Sequence, residues 1–169
     1  MNFNNLLNQI LGTVQKNSRS VSDSPLNSFG GGALVAGLAS TLMKKKNTKK
    51  LVKASSVAAL GYIAYKGYQS WQQNRNQTEL PQQAFEPVGQ LAETHSRVIL
   101  RTMIAAAASD GLIDEAEKQV IARESDTDAE TAAWLAAEYE RPATVEEIAA
   151  AVGNDEALAA ETYLAARLV

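Results

Sequence analysis

One corner constrains the fold of this chain more than any other feature of its sequence. Residues 104–117 form an alanine-rich helical stretch that is interrupted by Ser109-Asp110-Gly111. Gly111 suits the left-handed conformation that commonly ends a helix. Asp114 has the chemistry of an N-cap residue, and Glu117 follows three positions later, as in a capping box. The pattern predicts two helices joined by a tight turn.

The same signals for helix starts recur towards the C-terminus. Three sets of capping residues precede apolar runs: Thr127 with Glu130, Thr144 with Glu147, and Asn154 or Asp155. Trp134 and Tyr139 lie at helical spacing, which favours core positions for both. No stretch here alternates as a strand would. Residues 88–169 are therefore predicted to form an all-α helical bundle of about five helices.

The charge of the chain is divided between its two halves. Residues 1–75 carry ten Lys/Arg and one acid, a net charge of +9, whereas residues 76–169 carry six Lys/Arg and eighteen acids, a net charge of −12. The basic half should favour an anionic surface, and the acidic half should avoid nucleic acid. Cysteine is absent, which excludes disulfides and thiolate metal sites.

The N-terminal part of the chain is predicted to form an arm that associates with a membrane. Residues 1–29 are predicted to be an amphipathic helix, suited to partner packing or to membrane contact, followed by a polar linker. Residues 30–43 are rich in glycine and apolar residues. Ala33, Gly37 and Thr41 are four apart there, a spacing that permits close helix packing and homo-oligomers. Residues 44–50 hold five lysines, without aromatic residues to stack on bases, which favours a connector beside a membrane over a nucleic-acid patch.

Residues 51–71 are the best candidate for a membrane helix. Lys53 and Lys66 could reach opposite interfaces, and tyrosines and Trp71 recur near one end, as in an interfacial aromatic belt. The alternative is an amphipathic helix packed on the acidic domain. The predicted units are therefore residues 1–29, residues 30–73 with the membrane helix, a linker over residues 74–87, and the acidic domain over residues 88–169.

The predicted turn at residues 109–117 is acidic, and this acidic corner is a candidate cation site. Asp110, Asp114 and Glu117 bracket a tight turn and could hold Ca²⁺ or Mg²⁺ through oxygen ligands, but their spacing does not fit an EF-hand. Helix capping accounts for all three residues without a metal and is the favoured interpretation. The chain's one histidine, His95, is expected on the polar surface of its helix. With no nucleophile in a recognisable motif, no catalytic residue is predicted and we expect no enzymatic activity.

Residues 94–121, above all the sequence SDGLIDEAEK, resemble the TerB-like domains named after tellurite-resistance proteins. The layout of the whole chain resembles their YebE branch of bacterial inner-membrane proteins. The resemblance implies a helical domain with a divalent-cation site at Asp110, Asp114 and Glu117. It also implies a C-terminally shortened chain, because members usually continue into a second acidic motif and a further helix pair.

These observations lead to two functional hypotheses. The first is a single-pass protein of the bacterial inner membrane, anchored in the lipid bilayer through residues 30–71. Its acidic domain would bind a protein partner and a divalent cation without catalysis, in an envelope stress response as the resemblance implies. The second is a soluble helical interaction protein whose apolar arm packs on its own domain or on a partner chain.

Overall fold

The computed structural model describes residues 2–19, 56–72, 80–109 and 129–168. Within these residues the chain forms α-helices and one 3₁₀ helix, and no strand, which confirms the all-α prediction. The α-helices are α1 (Phe3–Arg19), α2 (Val57–Gln72), α3 (Gly89–Ser109), α4 (Ala129–Glu140), α5 (Val145–Val152) and α6 (Glu156–Leu168). The 3₁₀ helix spans Gln82–Phe85 and lies between α2 and α3.

Helix α3 lies at the centre of the bundle and packs against α1, α4, α5 and α6. Its buried positions include Ala92, Ser96, Ile99 and Met103, which recur every three or four residues and so form a stripe along one side. A second set of buried residues on α3, which includes Val98 and Ala107, widens this stripe. Helix α3 therefore contacts neighbouring helices on several sides. The sequence rule that apolar residues at helical spacing mark a core helix therefore holds for α3.

Helix α1 is part of this core. Leu6, Leu7, Ile10 and Leu11 are buried, and the helix packs against α3 and α2. The Glu93 carboxylate on α3 accepts a hydrogen bond from the backbone N–H of residue 3 at 2.6 Å, so a neighbouring helix caps the start of α1. Of the two uses that the sequence left open for this amphipathic helix, the structure shows packing, within the chain itself.

Helix α2 is the described part of the predicted membrane helix, and one of its faces is buried in the bundle. Leu60, Ala64 and Tyr68 are buried, and α2 packs against α6 and the 3₁₀ helix. The Asn8 side chain on α1 accepts a hydrogen bond from the Val57 N–H at 2.9 Å and so caps α2. Over the described residues, no helix has the length and apolar character needed to cross a membrane.

The two described helices of the predicted arm therefore belong to the same bundle as the C-terminal helices. For residues 57–71, this packing corresponds to the alternative that the sequence offered, a helix packed on the acidic domain. Residues 30–43 and 44–50 lie outside the described residues. The location in a membrane and the domain boundaries stay predictions.

The C-terminal helices start where local rules place them. Thr144 and Glu147 form a full capping box at the start of α5. Asp155 caps α6, because its Oδ1 accepts a hydrogen bond from the Leu158 N–H at 2.9 Å. Tyr139 is buried as predicted, and Trp134 packs on the edge of the core. Thr127 lies outside the described residues.

Candidate functional site

The sequence predicts one candidate site, the cation site at the acidic corner. Asp110, Asp114 and Glu117 all lie outside the described residues, between the end of α3 and the start of α4. Within the four described ranges, no group of three or more His, Asp or Glu residues is arranged to hold a metal ion. The cation site at the acidic corner therefore stays a prediction.

A buried cluster of ionisable groups connects α3 to α6. His95 and Glu161 are each only 1% exposed. The His95 Nδ1 lies 3.1 Å from Glu161 Oε2, and the Nε2 of the same ring lies 3.2 Å from Asp155 Oδ2. A histidine ring donates from both nitrogens only when it is protonated, so this geometry favours an imidazolium held between two carboxylates.

The electrostatics of this cluster favour a bound proton. Burial by itself lowers the pKa of His95, but the hydrogen bonds and charges of Glu161 and Asp155 outweigh it, so the pKa lies above its ordinary value of 6.5. Burial raises the pKa of Glu161 above 4.5, and the contact with His95 offsets this only in part. Both shifts mean that the folded protein holds a proton in this cluster more tightly than the unfolded chain does.

The sequence prediction for His95 is wrong, because the side chain is buried and not on a polar surface. That prediction rested on the polar neighbours Thr94 and Ser96. Helical spacing was the better signal: residue 95 follows Ala92 by three positions and precedes Ile99 by four, within the buried stripe of α3. An ionisable residue in such a stripe requires a partner, since an unpaired buried charge is costly.

A groove is open between α2 and α6. Its volume is about 580 Å³, and its lining is predominantly apolar. The lining residues that the structure describes come from these two helices: Ile63, Ala64, Gly67, Tyr68 and Trp71 from α2, and Glu156, Ala159, Ala160, Tyr163 and Leu164 from α6. Each set recurs at intervals of three or four positions, so the groove lies between one face of each helix.

Small residues give this groove its depth. Around Gly67, no heavy atom would lie within 4 Å of an added Cβ, so this position opens onto free space. Ala159 and Ala160 face it from α6 and extend no further than a methyl group. Large aromatic side chains flank the small ones: Trp71 is 51% exposed and Tyr163 is 67% exposed. The groove therefore has small side chains at its base and exposed aromatic side chains along its rims.

One end of the groove is polar. Glu156 is the one charged residue among the described residues of its lining. The Tyr68 hydroxyl donates a hydrogen bond to Glu156 Oε2 at 2.8 Å and accepts one from Gln72 Nε2 at 2.6 Å. Burial raises the pKa of Tyr68, so its hydroxyl stays protonated and able to donate to the carboxylate. This chain of hydrogen bonds fixes the position of the Glu156 carboxylate at the groove.

Comparison with known proteins places the chain in a family. The family model described as "Protein of unknown function (DUF533)" matches residues 28–169, which is most of the chain. The chain belongs to the DUF533 family. Because DUF533 is a TerB-like family, the resemblance seen in the sequence is confirmed at that level. The YebE branch and the shortened C-terminus stay predictions.

The part of the chain that matches DUF533 contains both elements described above. It includes the two walls of the groove and all three members of the His95 cluster, and it begins after α1. No curated protein and no solved structure matches the chain. The family description assigns no activity.

Proposed function

We propose that this DUF533 protein is a non-enzymatic interaction protein, and that it binds an amphipathic helix of a partner protein in the groove between α2 and α6. The observation that carries the proposal is the groove itself, an open and predominantly apolar space of about 580 Å³ with exposed aromatic rims. This develops the second hypothesis from the sequence, that of an interaction protein whose apolar arm packs on its own domain or on a partner chain.

The shape of the groove favours a helix as the occupant. Both walls are helices, and the lining residues on α2 run from Ile63 to Trp71, which corresponds to about 12 Å, or a little more than two helical turns. Two helices packed side by side leave a groove that a third helix commonly fills in helical bundles. A bound helix would present apolar residues at intervals of three or four positions, as in other helix-in-groove complexes.

The exposed aromatic residues favour a protein partner. Trp71 and Tyr163 leave half or more of their surfaces in water. Tryptophan and tyrosine are the residue types that most often dominate the binding energy of protein interfaces, because they bury a large area with few rotatable bonds. Scattered exposed apolar residues need no explanation, but two aromatic residues on the rims of one apolar groove form a contiguous patch.

The test uses a synthetic amphipathic helix with leucine on one face and glutamine on the other. Binding is followed by the fluorescence of Trp71 in a Trp134→Phe background, which leaves Trp71 as the one tryptophan. We expect saturable binding that Ala159→Gln weakens at least tenfold, because its longer side chain occupies the groove. The matched control is Ala150→Gln, which places the same side chain at an exposed alanine of α5.

Three outcomes would contradict the proposal. The first is no binding of the peptide, and the second is equal loss of affinity in Ala159→Gln and Ala150→Gln. In the third, phosphatidylcholine or phosphatidylglycerol vesicles change the Trp71 fluorescence and the peptide does not, which would assign the groove to lipid.

A further inference from the structure

We infer that the helix bound in the groove carries a lysine or arginine that pairs with Glu156. This inference rests on the proposed function and names the chemistry of the partner. Among the residues that the structure describes, Glu156 forms no ion pair, so a purely apolar occupant would leave its carboxylate at the end of the groove without a partner of opposite charge. Three observations support a basic residue instead.

The first observation is the place of Glu156 in the groove. Within the part of the chain that the structure describes, it is the one charged residue of the lining, and it lies at the start of α6. The apolar lining excludes water when the groove is filled, so an ion pair at its edge is screened less than one on an open surface. An acidic residue in the same position of the partner would face a like charge, which favours a basic partner over an acidic one.

The second observation is that the carboxylate is held in position. Tyr68 donates a hydrogen bond to one carboxylate oxygen, and Tyr68 is itself buried and hydrogen-bonded to Gln72. A carboxylate offers about four acceptor positions, so this bond leaves others for a ligand. A fixed acceptor loses less side-chain entropy on binding than a mobile one, which increases the benefit of a pair with a partner cation.

The third observation is the charge of the C-terminal helices. Residues 129–168 contain eight acids and two arginines. Glu138 and Glu161 are buried, which leaves six acids and two arginines outside the core, a net charge of −4. This excess of acids attracts a basic segment over a distance and accelerates its association, and this steering weakens as salt is added. The acid at the first turn of α6 also stabilises its own helix through the helix dipole, but that role does not require a hydrogen bond from a buried tyrosine.

The experiment compares three peptides that differ at one position, placed to lie opposite Glu156. The peptides carry Lys, Gln or Glu at that position of the Leu/Gln helix. We expect the Lys peptide to bind about tenfold more tightly than the Gln peptide and the Glu peptide to bind more weakly than both. Glu156→Gln, which keeps an acceptor for Tyr68, should reduce the affinity of the Lys peptide to that of the Gln peptide.

A matched substitution separates a local pair from general electrostatics. Glu146 is an exposed acid in the first turn of α5 and lies outside the groove lining, so Glu146→Gln removes the same charge elsewhere. It should leave the preference for the Lys peptide unchanged. Equal loss in Glu146→Gln and Glu156→Gln would overturn the inference, as would equal affinities of the three peptides.

The two proposals fail in different ways. If the Gln peptide binds and Ala159→Gln weakens its binding, while the Lys and Glu peptides show no difference from it, the groove binds helices and the pairing with Glu156 is wrong. If none of the three peptides binds, the proposed function is wrong and this inference fails with it.

Discussion

Replacing Glu161 with glutamine removes the charge beside His95 and keeps a side chain of nearly the same shape. The amide oxygen can still accept a hydrogen bond from Nδ1, at the position where Glu161 Oε2 now lies 3.1 Å away. Hydrogen bonds to charged groups contribute roughly 1.5–3 kcal/mol and neutral ones roughly 0.5–1.5 kcal/mol. At a pH where His95 is protonated, Glu161→Gln should therefore reduce the free energy of unfolding by about 1–2 kcal/mol.

The sign of the pH dependence follows from the raised pKa of His95. In the unfolded chain this pKa is about 6.5, and in the folded protein it is higher because of Glu161 and Asp155. The contribution of the protonated histidine to stability is thus fully present below pH 6.5. It is lost as the pH rises through the folded pKa. The raised pKa of Glu161 acts in the same direction, but its contribution is fully present only below pH 4.5 and is lost as the pH rises through the folded pKa of Glu161. The free energy of unfolding should therefore fall as the pH rises, and the part due to His95 is lost above about pH 6.5.

The same substitution should change the titration of His95 itself. Without the Glu161 charge, burial is opposed mainly by Asp155, so the pKa of His95 should fall. The chain has one histidine, so its imidazole resonance in an NMR titration needs no further assignment. Urea unfolding followed by circular dichroism at about pH 6 and about pH 8 gives the stabilities. At the higher pH, the difference between native protein and variant should shrink.

Two results would refute this reasoning. One is a native His95 pKa at or below 6.5, since the carboxylates would then not outweigh burial. The other is a His95 pKa that does not change in Glu161→Gln. Glu146→Gln, which removes one negative charge from the surface of α5, is the control for general electrostatics.

Two further predictions concern how α1 and α2 are held in the bundle. Gly61→Ala places a Cβ against the backbone carbonyl oxygen of Phe85 and should reduce the free energy of unfolding by about 1–3 kcal/mol, measured by urea unfolding. Gly67→Ala places its Cβ in open space and should leave the stability unchanged or increase it, and similar losses in both variants would contradict the close approach of α2 to the 3₁₀ helix. Glu93→Ala removes the cap from the start of α1 at a cost of about 1 kcal/mol and should accelerate amide hydrogen exchange in α1 more than in α5, while uniform exchange would contradict the docking of α1 on α3.

The parts of the fold that depend on residues close together in the sequence could be predicted from it. The capping box of Thr144 and Glu147 and the cap at Asp155 involve contacts three positions apart, so their pattern is visible in the chain. The core character of Tyr139 follows in the same way from helical spacing. These rules gave the all-α class and the starts of α5 and α6.

The packing of α1 and α2 could not be predicted in the same way. A helix with apolar, small and aromatic residues satisfies the composition of a membrane segment and also that of a helix half-buried in a bundle. The distinction lies in contacts that are distant in sequence, such as Asn8 with Val57 and Glu93 with the start of α1. The groove shares this property, because its walls lie about ninety positions apart in the chain.

The buried cluster and the groove meet on α6. A pair of apolar side chains could hold α6 on α3 at least as well as buried charges, because the desolvation penalty of the charges offsets much of their mutual attraction. The charged cluster also sets the orientation of α6 on α3. Asp155 caps α6 with Oδ1 and contacts His95 with Oδ2. Glu161 contacts the same ring from a position six residues later, about 9 Å along the helix. Two attachments to one ring restrict both the rotation and the shift of α6. Because Ala160 and Tyr163 are on that same helix, the cluster also fixes one wall of the groove before any partner arrives, which lowers the entropy cost of binding.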